Sequence, residues 1–188
     1  MMKSLVFVTG NQYKFEIGKK ALGSFGIDVE QQKMETPELQ STDVSEVAAY
    51  SARWAAKKLR KPVVVTDTGY YIEALNGFPG PFIKYINKWL AAEDLIRLME
   101  GKVNRTAEVK FGMAYCTPAQ EPVTYLTKVK GTIATKAGEK IYNEYPIDQI
   151  FIPEGFNKVI SEIPRKEIAQ FWVNKENYWK ELAEFLKK

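Results

Sequence analysis

Val6-Phe7-Val8 is a short apolar run that ends on Thr9-Gly10-Asn11, after which apolar residues return at helical spacing. The pattern predicts a buried strand, a helix over 15–25 closed by Gly26, and a second strand over 27–31. A further helix is marked by Asp43 as cap, with Glu46 three residues on. Its small-residue face comprises Val44, Val47, Ala48, Ser51, Ala52, Ala55 and Leu59, and Pro62 ends it. Val63-Val64-Val65 reads as a fully buried strand that delivers Thr66-Asp67-Thr68-Gly69 to its carboxyl end, where open α/β sheets place their ligands. Residues 70–75 continue as extended chain, 76–82 form a Gly/Pro loop, and 92–100 read as a helix.

The periodicity then switches to two. Ala107, Val109, Phe111, Met113 and Tyr115 alternate with mostly polar residues, as do Val123, Tyr125, Thr127 and Val129, predicting two long antiparallel strands joined by 117–122. Residues 150–153 read as a short strand, and Tyr178, Leu182, Phe185 and Leu186 give a last helix its buried side. The fold class expected is α/β: a mixed twisted sheet with a long antiparallel hairpin extension and helices on both sides. With 188 residues, 45% of them hydrophobic, the chain can close one sizeable core. The expectation is one domain over 1–188, with two lobes around a central cleft.

Composition narrows the chemistry by what it lacks. There is no histidine, which removes serine-histidine triads, cysteine-histidine pairs and imidazole metal sites together. Acid-base work falls to Asp, Glu, Lys or Tyr, and a catalytic metal would be a hard cation on carboxylate oxygens, magnesium being the natural candidate. The single cysteine, Cys116, excludes an internal disulfide and a cysteine-based zinc site. A net charge of +4 suits a small anionic substrate, and no Lys/Arg block or RNA-binding signature points to nucleic acid. No charged-then-apolar leader is read, and no apolar run approaches the roughly 20 residues of a membrane helix. The expectation is a soluble, cytoplasmic protein with no membrane or nucleic-acid partner.

The strand-to-helix turn is the first candidate site. Gly10 lets the backbone turn sharply, and Asn11 is a good N-cap. The positive end of the helix dipole then faces whatever lies above the strand end, with Lys14 one turn in as a mobile cation. Read alone, this is better taken as an ordinary strand-to-helix turn with a surface lysine.

Four motifs in order change that balance. They are Thr9-Gly10-Asn11 with Lys14 and Glu16; Pro37-Glu38-Leu39-Gln40; Asp67-Thr68-Gly69 followed by Ala74-Leu75-Asn76-Gly77-Phe78-Pro79-Gly80; and Asp148 before Ile150-Phe151-Ile152-Pro153-Glu154-Gly155. Together they resemble the inosine-triphosphate pyrophosphatases, the non-canonical purine NTP pyrophosphatases, over most of the chain. That family hydrolyses nucleoside triphosphates between the α and β phosphates. The resemblance implies that Thr9, Gly10, Asn11 and Lys14 grip the triphosphate and that Thr68-Gly69 line the phosphates. It implies that Glu38 and Asp67 work with Mg2+, with Asp67 also the general base, and that Asp148 contacts substrate. Tyr145 falls where the family carries an aromatic residue for a purine to stack on, although Tyr142 and Tyr145 read equally as packing beneath their loop. The resemblance also suggests a homodimer, for which Phe82, Tyr85 and Trp89 offer aromatic surface.

The departures are as specific as the matches. Thr66 stands where the family usually has an acidic residue, and Glu144-Tyr145-Pro146-Ile147-Asp148-Gln149 replaces a glycine-rich loop. The Ser-His-Arg signature that reads the 6-oxo purine edge falls at Trp172-Val173-Asn174 and is absent, and Ile168 occupies the place of a phosphate-contacting lysine. Arg165, Lys166, Asn174 and Lys175 are substitute candidates. Fixed-geometry donors read a base edge, so this change alters selectivity. Three readings stay open: an active pyrophosphatase of altered or relaxed base preference, a nucleotide-binding module that turns over weakly, and a hydrolase of another modified nucleotide.

Overall fold

The computed structural model describes residues 4–37, 39–139 and 145–187. In chain order the elements are β1 (Ser4–Val8), α1 (Gln12–Gly23), β2 (Asp28–Gln32), α2 (Val44–Leu59), β3 (Val63–Ile72), β4 (Pro79–Gly80), α3 (Ile83–Trp89) and α4 (Ala92–Leu98). The long strands β5 (Thr106–Cys116) and β6 (Val123–Ile133), the short β7 (Phe151–Pro153), α5 (Arg165–Lys175) and α6 (Tyr178–Lys187) complete it. The sheet order is β2-β1-β3-β5-β6-β7, with β4 paired to β3. Among the described residues no helix is long and apolar enough to cross a membrane. The mixed α/β sheet expected from the sequence is present. The chain divides into two compact units, Met1–Asp67 with Phe111–Thr127 and Val173–Lys188, and Thr68–Lys110 with Lys128–Trp172.

In the first unit, β1 pairs in parallel with β2 from Ser4 opposite Asp28 to Val8 opposite Gln32, and with β3 at Val6–Val63 and Phe7–Val64. The period of two divides the side chains between two layers. Leu5, Phe7, Val29 and Val64 pack with Ile17 and Leu22 of α1 and with Tyr178, Trp179, Leu182 and Leu186 of α6. Val6, Val8, Val63 and Val65 pack instead with Ala48, Ala52, Ala55 and Ala56 of α2, whose small side chains let it lie close to the sheet.

Several expectations need correction here. α1 begins at Gln12 rather than at 15, because Asn11 caps it. Asp43 does cap α2, accepting from the Ser45 amide at 2.7 Å, but Glu46 accepts from the Ser41 hydroxyl at 2.6 Å instead of reaching back to the cap. β3 runs unbroken from its valines to Ile72, and the extended chain expected over 70–75 gives way to a 3-10 turn at Glu73–Leu75. Its register with β1 nevertheless stops at Val64, so Thr66 and Asp67 lie past the end of that parallel pairing. Phe185 of α6 is 42% exposed and touches the core at its margin, edge-on to the Tyr115 ring at 5.9 Å.

In the second unit, β3 turns back on β4 through Tyr70–Gly80 and Tyr71–Pro79, and β6 pairs antiparallel with β7 from Gly131–Pro153 to Ile133–Phe151. Phe151 is fully buried and meets the Tyr70 ring edge-on at 5.2 Å. The hydrophobic pattern does not reveal α3 and α5. α5 buries only Ile168 and Trp172, one turn apart, and the neighbouring aromatic and apolar residues obscure that spacing in the sequence.

Candidate functional site

Thr9, Gly10 and Asn11 join β1 to α1, and their hydrogen bonds explain the shape of the turn. The Asn11 amide donates to Thr9 Oγ1 at 3.1 Å, and the Lys14 amide donates to Asn11 Oδ1 at 3.1 Å. Two of the amides expected to face a ligand are therefore spent on building the turn. Gly10 has no positive φ, so its conformational freedom is not what the turn uses. A β-carbon there would meet nothing within 4 Å, so packing does not require glycine at this turn either.

Lys14 projects from the first turn of α1 and is half-buried. Burial pushes its ammonium below the ordinary lysine range, and the carboxylates of Asp67 and Glu176 oppose that shift. Asp67 comes from β3 and Glu176 from the two-residue connection before α6, so three distant segments converge on this charge. Thr66, beside Asp67, has a buried hydroxyl with no hydrogen-bond partner among the described residues. Such an orphan carries a cost unless a ligand or water answers it.

Glu176 is the site residue that sequence reasoning missed. Its Oε2 accepts from the Tyr178 hydroxyl at 2.6 Å and from Trp179 Nε1 at 3.0 Å. Desolvation raises its carboxyl above the ordinary range, against the two hydrogen bonds and the Lys14 charge. Burial, followed by the Glu176 charge and hydrogen bond, lifts the Tyr178 phenol well above its usual 10.0. Its only trace in the sequence is an acidic residue shortly before a Tyr-Trp pair.

The remaining candidates belong to the second unit. The Thr68 hydroxyl is buried without a partner among the described residues. Gly69 faces the backbone of Gly80, where a β-carbon would come within 2.8 Å, so packing alone requires glycine there. Asp148 accepts from the Tyr145 amide at 3.1 Å and from the Tyr70 hydroxyl. These bonds tie down the short 3-10 turn Pro146–Gln149. Tyr145 is 60% exposed, which leaves its ring face open to a stacking partner. Ile168 is buried in the core of this unit. Glu38 and Tyr142 lie outside the described residues.

A metal tests the donor set. Among the described residues no three His, Cys, Asp or Glu side chains come together as a cage. Magnesium needs less when it arrives with phosphates, commonly one or two carboxylates plus phosphate oxygens and water, and Asp67 beside the Thr66 hydroxyl fits that pattern.

Comparison with known proteins agrees with the motif reading. The model of the Ham1 family matches residues 5–172. A dITP/XTP pyrophosphatase of Methanopyrus kandleri is 42% identical over 164 residues, covering 87% of this chain and 86% of its own length. A dITP/XTP pyrophosphatase of Methanosarcina acetivorans is 40% identical over 154 residues, covering 82% of this chain and 83% of its own. In fold, a HAM1 protein from Coxiella burnetii superposes with a TM-score of 0.83 at 22% identity, over all of this chain and 99% of that one.

Proposed function

Because the chain belongs to the Ham1 family, we propose that it is a nucleoside triphosphate pyrophosphatase that cleaves a non-canonical purine triphosphate to monophosphate and pyrophosphate, with altered or relaxed base preference. The observation that carries the reading is the convergence of the Thr9–Lys14 turn with Asp67, whose charge acts on the Lys14 ammonium. A desolvated lysine with a carboxylate acting on it, placed in the first turn of a helix, is suited to phosphate oxygens.

The steps follow from these side chains. Thr9 and Asn11 fix the turn, and Lys14 neutralises and orients the polyphosphate. Asp67 accepts a proton as a water oxygen attacks the α-phosphorus; the bond to the α–β bridging oxygen breaks, and pyrophosphate leaves. A divalent cation such as Mg2+, held by Asp67 with Glu38, would offset the charge that builds on the phosphates. The Thr66 hydroxyl, standing where the family usually has an acidic residue, leaves the site one carboxylate short and more reliant on the substrate's oxygens.

Altered base preference is supported by the residues that stand at the expected place of the base-reading signature. The match ends at Trp172, and Trp172-Val173-Asn174 stand where Ser-His-Arg is expected. Val173 is half-buried against the core that α6 shares with β1, and its side chain has no donor or acceptor for a base edge. The exposed Phe82, Tyr85 and Trp89 support a homodimer, and a single cysteine with no disulfide suits the cytoplasm.

One assay tests the reading. Purified protein with Mg2+ is offered dITP, ITP, XTP, dUTP, canonical and modified triphosphates, with pyrophosphate and orthophosphate measured separately. The expectation is pyrophosphate release on at least one purine analogue, lost in Asp67→Asn. Turnover of none, with thermal stabilisation by one, identifies a binding module instead.

A further inference from the structure

We propose that Glu176 is a positioning residue for Lys14: a carboxylate anchored on Tyr178 and Trp179 that holds the lysine ammonium over the phosphate turn. The inference rests on the reading of Lys14 as a phosphate-gripping residue and extends it to a part of the chain beyond the family match, which ends at Trp172.

The geometry runs through one tryptophan. Trp179 is 3% exposed and packs edge-on against Phe7 of β1, with ring centroids 5.3 Å apart. Its six-membered ring also lies on α1 at Gly18, where a β-carbon would come within 2.7 Å. Gly18 is four residues after Lys14, so both occupy the same face of α1. The indole thus bridges the strand that leads into the turn and the helix face that carries the lysine, and its Nε1 fixes the Glu176 carboxylate.

Glu176 has little freedom to be elsewhere. A single oxygen takes both donors, the Tyr178 hydroxyl and the Trp179 indole, and both donor residues are buried. A carboxylate held this way presents a fixed negative charge, which a flexible surface glutamate cannot. Lys14 carries four rotatable bonds and would otherwise spread its ammonium over many positions. Asp67 attracts it from β3 and Glu176 from the start of α6, so the lysine is drawn between two anchors of different origin. When a polyphosphate arrives, the cation is already near its place, and less ordering entropy remains to be lost on binding.

The alternative is that Glu176 only satisfies two buried donors. Glu176→Gln separates these roles, because glutamine keeps an acceptor oxygen for Tyr178 and Trp179 while removing the charge that acts on Lys14. The protein with Mg2+ is titrated with inorganic tripolyphosphate by calorimetry, and KM and kcat are measured on whichever triphosphate it cleaves. Glu176→Gln is expected to weaken tripolyphosphate binding by roughly fivefold, with a matching rise in KM and kcat unchanged. Glu176→Asp, one methylene short of its anchors, should recover only part of the binding. In a Lys14→Ala background, Glu176→Gln is expected to add nothing. Unchanged tripolyphosphate affinity in folded Glu176→Gln, or an equal loss with and without Lys14, overturns the proposal, as does wild-type protein that fails to bind tripolyphosphate. Absence of turnover with the calorimetric pattern intact would sink the pyrophosphatase reading and leave this one standing.

Discussion

Trp179 and Gly18 meet so closely that nothing larger than hydrogen fits between the α1 backbone and the indole; a β-carbon at Gly18 would sit 2.7 Å from the ring. Gly18→Ala therefore forces a buried aromatic side chain to move. The expected cost is about 1–3 kcal/mol by urea denaturation. A weakened affinity for tripolyphosphate should accompany it, because the displaced indole carries Glu176 with it. Full stability in the alanine variant would show that the ring relaxes freely.

Gly69 offers a contrasting case. The family resemblance makes it a phosphate-lining residue, yet its β-carbon position is 2.8 Å from the Gly80 backbone. Gly69→Ala should lower stability by about 1–3 kcal/mol through the β3–β4 pairing. If phosphate contact is its only role, melting stays at the wild-type temperature while KM rises.

Alkaline pH reports on Tyr70. Burial first, then the Asp148 charge and hydrogen bond, lift its phenol well above 10.0. The folded protein keeps a proton that the unfolded chain releases. The resulting stability is fully present below about pH 10 and is lost as pH rises from there through the folded pKa. Melting temperature is thus expected to fall across this window, with a shallower fall in Tyr70→Phe; Tyr178, shifted the same way, retains the remainder of the slope. At neutral pH, Tyr70→Phe should cost about 1–2 kcal/mol, since Asp148 loses a donor. Parallel wild-type and variant curves through the alkaline range would refute the assignment.

Much of this is legible in the sequence because local rules and tertiary demands agree. The Asn11 and Asp43 caps, the apolar β1 run and the small face of α2 each fold as their residue types dictate. β3 is different. Thr66-Asp67-Thr68-Gly69 looks like the end of a strand, but pairing with β4 carries the extended chain on to Ile72. Gly10 reads as a hinge, yet its backbone does not use the positive φ that only glycine adopts freely. Glu176 leaves no usable signal, because its role depends on two donors that fold back from the following turn of helix.

Trp89 tests association. It is 67% exposed, and its ring lies 5.5 Å from that of Tyr85. Sedimentation velocity is expected to give a dimer for the wild type and a monomer for Trp89→Glu, with nucleotide turnover per chain as a control. A wild-type monomer at micromolar concentration rules the dimer out.

The last helix supplies Tyr178, Trp179, Leu182, Ala183 and Leu186 to the layer beneath β1 and α1. It follows directly the positions where a base-reading signature would stand. A tail exchanged to make the protein prefer another nucleobase would thus also replace the floor on which the phosphate turn rests. A chimera joined before Trp172 is expected to change base preference and tripolyphosphate affinity together, measured by turnover and calorimetry.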